Sequence, residues 1–95
     1  MSRKLKTFDA SEYLEDSETI AEYLNAVIET GDQALLLSAI GDIAKATGMQ
    51  KIANGSGLGR ESLYKALTPG AKPRFDTVFK ILQALGVSLK ISPQH

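Results

Sequence analysis

Residues 55–65 read GSGLGRESLYK, three alternating glycines followed at once by Arg60, Glu61, Ser62, Tyr64 and Lys65. Two chemistries suit such a run. A glycine-rich loop can cradle a phosphate with its backbone N–H groups. Alternatively, a cation, a carboxylate and two hydroxyls on one short helix can read base edges, since Arg pairs bidentately with guanine O6 and N7 and Glu accepts from cytosine N4. The spacing disfavours the loop. A dinucleotide loop needs a third glycine where this chain has Arg60, and it follows a strand, whereas the residues before Gly55 have a helical pattern. The G-x-x-x-x-G-K spacing of a nucleoside-triphosphate loop is absent from the chain.

The elements that would position these side chains follow from periodicity and punctuation. Asp16 and Ser17 precede Ile20, Leu24, Val27 and Ile28, an amphipathic helix that ends at Gly31. Asp32 opens a second helix with an apolar stripe of Leu36, Leu37, Ile40, Ile43 and Ala44, stopping at Gly48, and this is the expected central core element. A third helix is expected over 49–54 and a fourth over 60–67. Pro69 and Pro73 make TPGAKP a loop. Asp76 is the expected cap of a fifth helix, with Val78, Phe79, Leu82 and Leu85 inward, Phe75 stapled onto Phe79, and Gly86 at the end. Residues 87–92 alternate Val87, Leu89 and Ile91 with Ser88, Lys90 and Ser92, the period of a half-buried strand. The fold class is therefore all-α, five helices with a short C-terminal β-strand. An N-terminal arm over 1–15, partly ordered, precedes a single domain over 16–95.

Two helices crossing at a short turn need a small residue at their approach, a turn residue tolerant of positive φ, and apolar anchors on both sides. Ala53, Gly57 and Leu58, with Ile52, Leu63 and Leu67 as anchors, supply these in order over 49–67. The second helix of such a helix-turn-helix presents Arg60, Glu61, Ser62, Tyr64 and Lys65 to the major groove as base contacts. Gln50, Lys51, Gly59, Lys72 and Arg74 would reach phosphates, which set register without reading sequence. Other readings stay open. Each lysine can be a solvated surface charge, Tyr64 can simply cover the motif, and Glu61 can be the i,i+4 partner of Lys65.

Charge agrees with an anionic partner for one half. The net charge is zero, but residues 1–44 hold three cations against nine acids, and residues 45–95 hold eight cations against two. Catalysis is not expected: the lone histidine is His95, there is no cysteine, and neither Ser56 nor Ser62 has a base near it in sequence. No cofactor and no metal are expected. The longest apolar run, residues 34–40, is far short of the ~20 needed to span a bilayer, so a cytoplasmic protein without a membrane partner is expected.

The segments MQKIANGSGLGRESLYKAL and KPRFDTVFKILQALG resemble the Xre/Cro-type (lambda-repressor-like) helix-turn-helix of addiction-module antidote proteins, the HigA-like antitoxins. Upstream segments are similar to the same family, so the resemblance spans nearly the whole chain. One departure is Gly59, where the family usually has serine. The resemblance implies a bacterial antitoxin that binds double-stranded operator DNA as a homodimer, associates with the nucleoid when bound, and neutralises a small basic RelE/ParE-type toxin. The acids Glu12, Glu15, Asp16, Glu18 and Glu22, around Tyr13 and Leu14, would complement such a toxin; acids at a helix start also complement its dipole with no partner. Residues 87–92, through Val87, Leu89 and Ile91, are the expected dimer strand, or else fold back on the N-terminal segment. A stand-alone phage-type or bacterial regulator without a toxin, and an adaptor that has lost DNA, are the alternatives.

Overall fold

The computed structural model describes residues 16–93; the expected arm at 1–15, with its acids Glu12 and Glu15, lies outside the described residues. Five helices follow one another: α1 (Ser17–Glu29), α2 (Gln33–Thr47), α3 (Met49–Ser56), α4 (Arg60–Ala66) and α5 (Phe75–Ala84). Among the described residues there is no strand.

Local chemistry explains the boundaries. The Asp32 carboxylate accepts from the Leu35 N–H at 3.0 Å, satisfying one of the donors that the start of α2 leaves free. Asp16 precedes α1 without capping its backbone; it accepts instead from the Thr19 hydroxyl at 3.1 Å. The expected cap at Asp76 is off by two positions: α5 begins at Phe75 after Arg74, and Asp76 lies in its first turn, where a negative charge still favours the helix dipole. At the other end, Gly86 has φ +86°, its N–H donates to the Gln83 carbonyl, and the Val87 N–H reaches back to the Leu82 carbonyl at 3.2 Å. This paired closure turns the chain sharply out of α5.

The core draws on every helix. Ile20, Ile40, Ile43, Ile52, Leu63 and Ile81 are its largest fully buried side chains, each contributing about 1.5–3 kcal/mol by burial. α2 supplies the most buried residues, as its stripe predicts, although Leu36 and Leu37 are only half-buried. The eight-residue α3 is the hub, packing on α2, α4 and α5, while α1 packs on α2. Glycines stand at two of the helix contacts, at distances where a β-carbon would still make an ordinary contact. A β-carbon on Gly55 would stand 3.4 Å from the Ala84 β-carbon, and one on Gly41, which is buried, 3.7 Å from the Leu67 carbonyl oxygen.

Three expected placements are corrected. Ile28 lies near the end of α1, past the buried Ile20, Leu24 and Val27, and is exposed. Phe79 is not in the core: it stacks on Phe75 with ring centroids 5.9 Å apart, an i,i+4 pair on the exposed surface of α5 rather than a staple across the helix start. The expected C-terminal strand does not form within the described chain. Val87 packs against the core, but Leu89 is exposed and Ile91 is 97% exposed. The physical reason is pairing: a strand exists only as part of a ladder, and no other described segment is extended beside it.

Candidate nucleic-acid interface

Gly57 governs the geometry of the candidate site. It ends α3 in the left-handed conformation, φ +79° and ψ 3°, and its N–H donates to the Ala53 carbonyl at 3.1 Å. A residue with a β-carbon would pay about 1–2 kcal/mol there. Ser56 then ties the turn: its hydroxyl donates to the Ala53 carbonyl at 3.3 Å and accepts from the Leu58 N–H at 3.2 Å. Leu58 packs half-buried against the core, Gly59 leads into α4 in an extended conformation, and only these three residues, 57–59, separate the two helices.

Burial splits α4 into two sides. Leu63 is fully buried and Ala66 and the following Leu67 are buried, matched from α3 by Ile52 and Ala53. Arg60, Glu61, Ser62, Tyr64 and Lys65 are all exposed. The buried anchors thus fix the rotation of a seven-residue helix and leave every charged or hydroxyl-bearing side chain on it in solvent. The Arg60 guanidinium lies over the Tyr64 ring, 5.6 Å from its centroid, with Nη2 3.4 Å from the phenol oxygen. Glu61 and Lys65 form no ion pair among the described residues; the pair that does form is Arg74 with Asp76 at 3.3 Å. That pair is highly exposed and worth no more than ~1 kcal/mol.

The residues expected at phosphates are also in solvent. Gln50, Lys51, Gly59, Lys72 and Arg74 are all exposed. Gln50 donates from its side-chain amide to Asn54 Oδ1 at 3.1 Å along α3. Asn54 and Thr68, whose hydroxyl donates to the Tyr64 carbonyl at 2.7 Å, are exposed polar neighbours that the sequence reading did not single out. The i,i+4 spacing from Gln50 to Asn54 and from Tyr64 to Thr68 is the signal that would have found them.

Elsewhere, an apolar groove of about 750 Å³ opens between α2 and the loop before α5, lined by Leu36, Leu37, Ile40, Pro69, Pro73 and Val78, with Lys45 and Lys72 among its other walls. No group of three acids, histidines or cysteines among the described residues is placed to hold a metal ion, and no helix there is long and apolar enough to cross a membrane.

Comparison with known proteins adds to this geometry. Residues 4–93 match the family model described as "probable addiction module antidote protein". A Haemophilus influenzae protein, described as uncharacterized, is 43% identical over 91 residues, covering 96% of this chain and 94% of its own length. No solved structure matches the chain.

Proposed function

Because the chain belongs to the family of probable addiction module antidote proteins, we propose that it is the antitoxin of a type II toxin-antitoxin module. In this reading it binds operator DNA as a homodimer, represses its own operon and neutralises a RelE/ParE-type toxin. Membership of an antidote family implies a toxin partner. The DNA arm of the reading is carried by one observation: α4 stands across a three-residue turn from α3 and turns Arg60, Glu61, Ser62, Tyr64 and Lys65 outward together while Leu63 is fully buried.

Arg60 and Glu61, at the N-terminal end of α4, read base edges, the position from which a recognition helix reaches into the major groove. Ser62, Tyr64 and Lys65 extend that contact. Gln50, Lys51, Gly59, Lys72 and Arg74 hold phosphates on either side and set register. A single seven-residue helix reads only a few base pairs, so two copies about one DNA turn apart are needed for a tight operator. α1, with Glu18, Glu22 and Glu29 exposed, offers an acidic side to a basic toxin.

Nuclease footprinting across the DNA upstream of the gene tests this reading. Protection of two half-sites about one helical turn apart is expected. No protection, with the toxin present or absent, would remove the operator and autorepression claims and leave an antidote that acts on its toxin alone.

A further inference from the structure

Residues 88–93 leave the core after the Gly86 closure, and none of their backbone groups hydrogen-bonds to backbone among the described residues. Val87 packs against the core, Leu89 is 43% exposed and Ile91 97% exposed. The segment therefore carries the alternation of a strand, the apolar face of a strand and ladder groups that are unpaired among the described residues, while being anchored at one end. We propose that it pairs antiparallel with the same segment of a second copy, on a two-fold axis through Leu89, forming a two-stranded ribbon that joins the two domains.

The occupant and the register both follow from the residues. Only registers centred on a residue keep apolar side chains on one face, because directly opposed residues in a ladder project to the same side. Centring on Leu89 sets Leu89 against Leu89, Val87 against Ile91, and Ser88 against Lys90 of the partner. Six apolar side chains then share one face, the face on which Val87 already packs against its own core. Centring on Lys90 would oppose two like charges and bring Pro93, which has no N–H, into the ladder opposite Val87. Centring on Ser88 would place Ile91 opposite Leu85, which is buried at the end of α5. The sequence is thus complementary to itself in one register. An isolated ribbon is marginal in water, and the two domain cores beneath it supply the packing it needs.

This inference rests on the dimer of the proposed function and not on DNA binding, so it is tested without DNA. The chain has no cysteine, which makes single-cysteine variants clean reporters. Sedimentation equilibrium of the unmodified chain is paired with oxidation of Ser88→Cys, Leu89→Cys and Lys90→Cys variants and non-reducing electrophoresis. Opposed β-carbons at the axis stand ~4.5–5.5 Å apart, near disulfide reach, and those one register step away ~7–8 Å. Expected are a dimer by sedimentation, covalent dimer from Leu89→Cys at least roughly tenfold faster than from its neighbours, and conversion to monomer on removing residues 88–95. A dimer that survives this truncation, or that crosslinks equally at all three positions, overturns the ribbon and leaves the dimer reading standing. A monomer at every concentration overturns both, and is the result expected if this segment folds back on its own N-terminal residues.

Discussion

Arg60 and Tyr64, one turn apart on α4, hold each other in solvent: the guanidinium covers the ring at 5.6 Å and points a nitrogen at the phenol oxygen 3.4 Å away. A flat, preorganised cation on the outer side of the helix loses less side-chain freedom when it meets a guanine edge. Arg60→Ala is expected to weaken binding to upstream DNA by about 1–3 kcal/mol and to relax sequence preference. Because the side chain is exposed, its melting temperature should stay close to that of the unmodified protein. Tyr64→Phe keeps the ring and should keep most of the affinity. Anisotropy titrations with thermal melts of both variants check this.

Lys51, Lys72 and Arg74 should behave differently from Arg60. A phosphate contact neutralises charge without reading sequence, so Lys72→Ala or Lys51→Ala should weaken binding to upstream and scrambled DNA alike and lower the log-log salt slope by about 1 each. Titration across a salt series measures the slope directly. An unchanged slope would return that lysine to the solvated surface.

Gly57 and Gly59, two residues apart in one turn, should respond in opposite ways. Gly57 has φ +79°, and Gly57→Ala is expected to cost about 1–2 kcal/mol even though a β-carbon there meets nothing within 4 Å. Gly59 has φ −71° and equally open space, so it has no conformational need to be glycine. Gly59→Ser should add a few tenths of a kcal/mol as its hydroxyl caps the free N–H groups of α4. Urea denaturation of the two variants gives both signs.

Thr47 closes α2 with a hydroxyl that is buried and has no hydrogen-bond partner among the described residues. Thr47→Val removes the unpaired oxygen while keeping the shape, and is expected to stabilise the fold by about 1 kcal/mol. Chemical denaturation with an unchanged m-value would register it.

What the sequence disclosed, and what it hid, divides by the range of the interaction. Helix existence was legible from the stripe of Ile40, Ile43 and Ala44, and the turn from Gly57, because both are local rules of period and backbone conformation. The cap on Asp32 was legible for the same reason. Phe79 was not: its spacing suits the core face of α5, yet its exposure depends on which neighbours reach that end of the helix. The contacts of Gly41 with Leu67 and of Gly55 with Ala84 were equally hidden, since they join residues far apart in the chain. The alternation of Val87, Leu89 and Ile91 suggested a half-buried strand that the described chain does not form, because a pattern cannot supply its own ladder partner. At the candidate interface, the outward set on α4 was legible because Leu63 and Leu67 fix the helix rotation. The Arg60–Tyr64 contact was missed in favour of Glu61 with Lys65, although both have the same spacing.

The most direct test of the central claim is a fluorescence-anisotropy titration of the purified protein against DNA from upstream of its own gene and against scrambled DNA, at two salt concentrations. Upstream DNA should bind roughly 10³-fold or more tightly than scrambled DNA, and both curves should weaken steeply with salt. Equal and feeble binding to both DNAs, with the toxin present as well as absent, would contradict the account.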